Sequence, residues 1–132
     1  MADFLANTAP ATLLVAAGGI ADGRGLAAAL LLGADGVLIG SRFVASSEAA
    51  APANFKNAIV AADGDSTIKT TVIDVVRNYD WPGHEFSGRA LKTHFVTSWH
   101  GHEADLASPV TNALENDRYW KAFYAGDVEN TG

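Results

Sequence analysis

The chain has 132 residues, a net charge of −6 and no cysteine, which excludes a disulfide-stapled scaffold. Its content of 48% hydrophobic and 18% charged residues is typical of a globular protein. Nine Lys and Arg residues are too few for a general nucleic-acid surface, and the longest apolar stretch, residues 25–33, is too short to span a membrane. We therefore expect a cytoplasmic protein that binds neither nucleic acid nor membranes.

The first part of the chain predicts a parallel βαβ unit. Residues 12–17 form a continuous apolar run, as expected of a strand that is covered on both faces. Asp22 can cap a helix over residues 24–32, and Gly33 supplies the left-handed residue that ends it. Residues 37–39 then form a second apolar strand.

Glycine turns follow both predicted strands. Gly18 and Gly19 come after the first strand, and Gly40 and Ser41 come after the second. Neighbouring parallel strands end at the same edge of a sheet, and glycine lets backbone amides approach an anion that a Cβ would keep away. The two turns together predict a phosphate-binding cradle.

Parallel βαβ units occur both in doubly wound sheets and in (β/α)8 barrels. The glycines at 18, 23 and 25 do not have the G-x-G-x-x-G spacing of a dinucleotide site, and the second strand ends in Gly-Ser rather than in an acidic residue. Barrels bind phosphate between the loops after strands seven and eight, helped by a short helix, for which residues 41–47 are a candidate. The pattern favours an α/β fold, a partial (β/α)8 TIM barrel comprising its last two strands and their helices.

The second half predicts a helical C-terminal extension. We expect a helix over residues 54–62 that covers the sheet, and an extended segment over residues 66–73. Trp81-Pro82-Gly83-His84 has the composition of a turn. Ser87 is expected to cap a helix that runs through Trp99, and Ser108-Pro109 to begin the last helix.

These elements divide into two predicted domains. Residues 1–65 form the C-terminal part of a barrel, and residues 66–132 form an extended segment with a helical region that packs on it.

Other candidates for chemistry are weaker. His100-Gly101-His102-Glu103 does not have the H-E-x-x-H spacing of a zinc site, so we predict no metal and expect a cation at a helix end. His84 is expected in the turn and His94 on a helix surface. No G-x-S-x-G elbow surrounds any of Ser41, Ser46 and Ser47, so no nucleophile is assigned.

The residues around both turns resemble the FMN phosphate region of nitronate monooxygenases, also called 2-nitropropane dioxygenases. The resemblance is carried by G-G-I-A-D-G-R-G at 18–25, L-G-A-D-G-V at 32–37 and I-G-S-R-F at 39–43. Residues 71–83, G-R-A-L at 88–91 and F-V-T-S-W-H-G at 95–101 resemble the C-terminal stretch of the longer bacterial members. The similarity covers about residues 12–125.

The resemblance implies an FMN-dependent oxidoreductase that oxidises alkyl nitronates with O2. The implied backbone contacts to the FMN phosphate are Gly18, Gly19, Ile39, Gly40 and Ser41. The family more often has threonine at the position of Ser41, and both residues offer a hydroxyl and an amide. Arg42 beside this site is either an anion ligand or part of a structural ion pair. The family's catalytic histidine lies upstream, so no catalytic residue is assigned in this chain.

The length of the chain, 132 residues, leaves alternatives to a complete enzyme open. A complete barrel takes about 250 residues, so we expect a fragment that is marginally stable alone and that self-associates through its exposed sheet edges or is completed by another chain. One alternative is a non-catalytic, truncated half-barrel. The other is a flavin barrel like that of the enoyl-thioester reductases, with the same cradle and another substrate.

Overall fold

The computed structural model describes residues 1–82 and 86–131. The chain forms two compact units, Met1–Ala50 and Ala51–Gly132. This division falls earlier than the predicted boundary after residue 65. The helix expected over residues 54–62 belongs to the second unit because its Phe55 ring packs against Phe123, with ring centroids 5.2 Å apart.

The first unit is built on a parallel βαβ motif, as predicted. Its elements are α1 (Ala2–Thr8), β1 (Val15–Ala17), α2 (Gly23–Leu31), β2 (Gly36–Leu38) and α3 (Ser41–Val44). β1 and β2 pair in parallel, with Val15 opposite Gly36. Asp35 anchors the pairing, because its amide donates to the carbonyl of Leu14 and its carboxylate accepts from the amide of Leu14, both at 2.8 Å.

Both predicted caps of α2 are confirmed. The carboxylate of Asp22 accepts a hydrogen bond from the amide of Gly25 at 2.9 Å. Gly33 has φ +91°, and the amides of Gly33 and Ala34 donate back into the last turn as in a Schellman motif. The crossover helix of the βαβ motif is therefore fixed at both ends by local hydrogen bonds.

The first unit has no buried residue, although the structure describes all of residues 1–50. Val15 of β1 is 55% exposed and Leu38 of β2 is 67% exposed. The expectation that the first strand is covered on both faces is therefore wrong for this chain. Both strands lie at the edge of a two-stranded sheet, and large apolar side chains of the first unit, such as Phe4 and Leu31, are themselves exposed.

The second unit contains the hydrophobic core. Its elements are α4 (Ala53–Ala61), β3 (Thr67–Thr70), α5 (Val72–Val76), β4 (Gly88–Leu91), α6 (His94–Trp99), α7 (Glu103–Leu106), α8 (Pro109–Ala125) and a 3-10 helix (Val128–Asn130). β3 and β4 pair antiparallel, with Thr67 opposite Leu91. The core consists of Val72, Val76, Phe95, Val96, Leu106 and Tyr119. α8 begins at Pro109, as predicted, and ends before the left-handed Gly126.

The helix expected from Ser87 to Trp99 is wrong in its first half. Residues 88–91 form β4, whose backbone groups pair with β3 and are not available for helical hydrogen bonds. α6 begins at His94, and Thr93 caps it by accepting from the amide of Val96 at 3.3 Å. Thr93 is only 4% exposed, and its hydroxyl donates to the carbonyl of Thr131. The cap is therefore a buried residue six positions beyond the predicted one.

Two further predictions are corrected in part. The extended segment expected over residues 66–73 ends at Thr70, because the next residues form α5 and bury Val72. α4 forms as predicted, but its buried Phe55 lies against α8 rather than against a sheet. The turn expected at residues 81–84 lies partly outside the described residues. His84, expected in that turn, lies entirely outside them.

A buried tyrosine joins α5 to α8. The hydroxyl of Tyr119 accepts hydrogen bonds from Nε and Nη2 of Arg77, whose guanidinium carbon lies 5.1 Å from the centre of the Tyr119 ring. The ring also packs against Phe95, with centroids 5.5 Å apart. Burial raises the pKa of Tyr119 above its usual value of 10.0, although the charge of Arg77 opposes this shift. The core therefore encloses a polar contact whose donor and acceptor are both satisfied.

Replacing Tyr119 with Phe tests this contact, since it removes the acceptor for Arg77 and keeps the ring. We expect the free energy of unfolding in urea to fall by about 1.5–3 kcal/mol at neutral pH, the range for hydrogen bonds to charged groups. Tyr124→Phe is the control, because Tyr124 is 81% exposed. Equal effects of the two substitutions would contradict the assignment.

The same tyrosine predicts a pH dependence. Because the pKa of Tyr119 is raised in the folded state, its contribution to stability is present at neutral pH and is lost as the pH rises through the folded-state pKa, above 10.0. The alkaline loss of stability should be smaller in Tyr119→Phe than in the wild type. Urea titrations between pH 8 and pH 11, at about one-unit steps, measure the difference.

The position of the α6 cap is tested by a pair of substitutions. Thr93→Ala should lower the free energy of unfolding by about 1 kcal/mol or more, because it removes a helix cap and a buried hydrogen bond. Ser87→Ala should leave stability nearly unchanged, and Thr93→Ser should retain most of it. A larger loss of the free energy of unfolding in Ser87→Ala than in Thr93→Ala, measured by urea denaturation, would instead support the helix predicted from residue 87.

Candidate functional site

The turns after β1 and β2 line one recess of about 540 Å3. All five residues predicted to contact a phosphate are in its lining, together with Arg42: Gly18, Gly19, Ile39, Gly40 and Ser41. The structure brings the two turns together because Ala17 and Leu38, the last residues of the two strands, lie opposite each other in the parallel register. Twenty residues lie between Ala17 and Leu38 in the sequence, but the strand pairing places the two residues side by side in space.

The glycines leave the main chain accessible from this recess. Gly18 and Gly19 have φ values of +93° and +70°, in the left-handed region that side chains rarely adopt. Gly40 does not have a positive φ, and a Cβ built on it would meet no atom within 4 Å. Nothing in the described packing therefore requires glycine at position 40, whereas close approach of a ligand to the main chain would require it.

Backbone donors face no competition at the second turn. Gly40 precedes α3 and has no side chain with which to cap it. Within the described ranges, the amides of Ser41 and Arg42 have no hydrogen-bond acceptor. Unpaired amides at the start of a helical turn are suitable donors to an anion, and the hydroxyl of Ser41 adds another.

The charged side chain that lines the recess is that of Arg42, and the carboxylate of Asp22 interacts with its charge. The pKa of Asp22 is lowered, first by the hydrogen bond from the amide of Gly25, then by the side chain of Arg24, and least by the charge of Arg42. Arg24 forms a salt bridge with Asp22 at 3.1 Å. Arg42 forms no salt bridge with any described carboxylate, so the structural ion pair considered for it is not formed. Its guanidinium is available to the recess.

The residues of the recess are suited to binding a ligand and not to proton transfer. Its lining contains no histidine and no carboxylate, and Ser41 and Arg42 are its only residues with polar side chains. A hydroxyl without a neighbouring base and an always-protonated guanidinium are poor groups for taking up a proton at neutral pH. The arrangement can therefore hold and orient an anionic group.

The histidines form contacts of another kind. Nδ1 of His100, at the end of α6, lies 3.1 Å from the hydroxyl of Thr70 and 3.5 Å from Oε1 of Glu103. His94 is exposed at the start of α6, as expected of a helix-surface residue. Residues 1–82 and 86–131 contain no group of three or more His, Asp or Glu side chains arranged to hold a metal. Sequence reasoning missed the partnership of His100 with Thr70 because the two residues are thirty positions apart.

No helix among the described residues is both long and apolar enough to cross a membrane.

Comparisons with known proteins agree with the resemblance seen in the sequence. The sequence model of the family described as nitronate monooxygenase matches residues 6–125. The chain is 49% identical over 96 residues to nitronate monooxygenase npaC of Metarhizium robertsii, a match that covers 70% of this chain and 26% of that protein.

Two solved structures are also similar to this chain. FabK from Thermotoga maritima matches with a TM-score of 0.67 and 33% identity, over 91% of this chain and 35% of that one. Nitroalkane oxidase from Streptomyces ansochromogenes matches with a TM-score of 0.66 and 29% identity, over 92% of this chain and 32% of that one.

The chain therefore spans about a quarter of the length of the curated relative and about a third of the length of each solved structure. The family match nevertheless includes both glycine turns and nearly all of the second unit. The chain belongs to the nitronate monooxygenase family.

Proposed function

We propose that the recess between the two glycine turns binds the phosphate of flavin mononucleotide, in an enzyme that oxidises alkyl nitronates with O2. The observation that carries this proposal is the convergence of Gly18 and Gly19 with Gly40 and Ser41 on one recess. Bound FMN supplies the redox chemistry, and the residues of the recess supply binding and orientation.

The donors of the recess fit a phosphate. A phosphate monoester carries close to two negative charges at neutral pH and offers several acceptor oxygens. The unpaired amides of Ser41 and Arg42 can each donate to such an oxygen, and the guanidinium of Arg42 can offset part of the charge. The open backbone at Gly40 allows the oxygens to approach the main chain closely.

The surface of the first unit supports a place within a larger barrel. Among the residues that the structure describes, no strand pairs with the outer edge of β1 or of β2, and none of residues 1–50 is buried. This is the state expected of the last two strands of a TIM barrel when the strands that would cover them are supplied by residues outside this chain. We place the catalytic histidine and most of the substrate pocket among those residues, so the 132-residue chain alone is expected to hold flavin without oxidising nitronate.

Flavin binding is tested by comparing FMN with riboflavin, which lacks the phosphate. We expect the chain to bind FMN at least about tenfold more tightly than riboflavin, because charge-assisted hydrogen bonds to the phosphate carry the affinity. Quenching of flavin fluorescence measures both affinities. Equal affinity for the two flavins, or no FMN binding at about millimolar concentration, would overturn the proposal.

Gly40→Ala tests the close approach to the backbone. It should weaken FMN binding about tenfold and leave riboflavin binding and stability unchanged, since the added Cβ meets no protein atom and occupies space at the recess. Gly64→Ala is a matched control, because position 64 also has open space and no positive φ but lies outside the recess. Similar FMN affinity in the two variants would contradict the role of Gly40.

A second pair of variants separates a local contribution of Arg42 to FMN binding from the effect of the net charge of the chain. Arg42→Met should weaken FMN binding several-fold and reduce its salt dependence, because it removes a cation that lines the recess. Arg24→Met removes the same charge from a residue that is paired with Asp22, and should have little effect on FMN affinity. If both variants weaken binding equally, the contribution of Arg42 is only a long-range effect of net charge.

A further inference from the structure

A second cavity, of about 280 Å3, lies within the second unit beside the end of α5. Its lining contains three aromatic side chains, Tyr79, Trp81 and Phe86, and two carboxylates, Asp74 and Asp80. The proposed flavin site uses none of these residues, and none belongs to the hydrophobic core. Half-exposed aromatic rings next to carboxylates are a combination that can attract a positively charged ligand.

The backbone places these groups together through a left-handed turn. Asn78 has φ +57°, in the region that asparagine tolerates better than most residues. Its amide donates to the carbonyl of Val75, and the amide of Tyr79 donates to the carbonyl of Asp74 at 2.9 Å, which closes α5 with a Schellman motif. The chain therefore turns back at Asn78, and Nε1 of Trp81 donates to Oδ1 of Asp74 at 3.1 Å.

The rings form a corner. The planes of Tyr79 and Trp81 meet at 83°, with ring centroids 6.4 Å apart. Tyr79, Trp81 and Phe86 are 51%, 54% and 53% exposed, so each presents about half of its surface to solvent. A cation placed in this corner can lie within about 6 Å of both centroids, the range in which a ring attracts a positive charge.

The carboxylates make the cavity negative. Among the described residues, no Lys or Arg forms a salt bridge with Asp74 or Asp80. Arg77 directly follows the helix that contains Asp74, but its guanidinium contacts the hydroxyl and ring of Tyr119. Two carboxylates without a described counter-ion therefore favour a cationic ligand and disfavour an anionic one.

We propose that this cavity binds a small organic cation of the quaternary ammonium class. Methyl groups around the nitrogen pack against the rings, and the diffuse charge interacts with the ring faces and with Asp74 and Asp80 without the need for hydrogen-bond acceptors. A small inorganic cation loses a stronger hydration shell on entering and gains no apolar contact. The site is independent of flavin binding, so the two proposals can fail separately.

The test compares choline with 3,3-dimethylbutan-1-ol, which has nearly the same shape and no charge. The full 132-residue chain is titrated without flavin, and the indole N–H resonance of Trp81 and the heat of binding are followed. We expect choline to bind at least about tenfold more tightly than the neutral alcohol, with the Trp81 resonance shifting during the titration.

Two variants and two matched controls locate the site. Trp81→Ala and Asp74→Asn should each weaken choline binding about fivefold or more, the first by removing a ring and the second by removing a charge while keeping an acceptor for Trp81. Tyr124→Ala and Asp117→Asn remove an exposed aromatic ring and an exposed carboxylate from α8, and should leave choline affinity unchanged.

Three results would overturn the proposal. One is the absence of choline binding by the wild type up to about 50 mM. Another is equal affinity for the neutral alcohol, which would make the cavity a general apolar site. The third is equal loss of affinity in the α8 controls. The comparison of the two ligands on the wild type keeps the test decisive even if Trp81→Ala does not fold.

Discussion

The parallel pairing of β1 with β2 is the constraint on which the candidate site depends. Parallel strands end at the same edge, so the residues after Ala17 and Leu38 leave the sheet side by side. An antiparallel pair would place the two glycine turns at opposite ends. Two hydrogen bonds between Leu14 and Asp35, one to the Leu14 carbonyl and one to the Asp35 carboxylate, set where the ladder begins, and so set which residues lie at its end.

The two units are stabilised in different ways. In the first, the order of the chain comes from backbone pairing and from the caps at Asp22 and Gly33, while large apolar side chains such as Leu31 and Leu32 remain exposed. In the second, five other buried side chains form one core with Tyr119, and Arg77 donates hydrogen bonds to its hydroxyl. Local hydrogen bonds can position a ligand-binding turn, but burial of apolar surface provides most of the free energy of folding.

The charge of the whole chain does not predict the preference of its cavities. The net charge is −6, yet the recess at the glycine turns presents unpaired amides and Arg42. The aromatic cavity, which is the one lined by Tyr79, Trp81 and Phe86, presents Asp74 and Asp80. Each proposed preference rests on groups that line the cavity itself, where charges interact strongly, whereas distant surface charges are screened by salt.

How much could be predicted from the sequence depended on the range of each signal. The βαβ motif and the caps of α2 follow from hydrophobic patterns and cap residues that act within a few positions, and so does the start of α8 at Pro109. Convergence of the two glycine turns followed from these local elements and one general rule of parallel sheets. Their ligand stays a prediction.

Tertiary structure decided what depends on distant partners. The apolar spacing of Leu91, Phe95 and Trp99 is compatible with a helix, but pairing with β3 makes residues 88–91 a strand. The burial of Thr93 and the contacts of Tyr119 likewise depend on segments far away in the chain. The sequence by itself determined the βαβ motif, the caps of α2, the start of α8 and the family. Strand partners, buried polar pairs and the aromatic cavity were decided only by the fold, because their energies come from neighbours that no local pattern records.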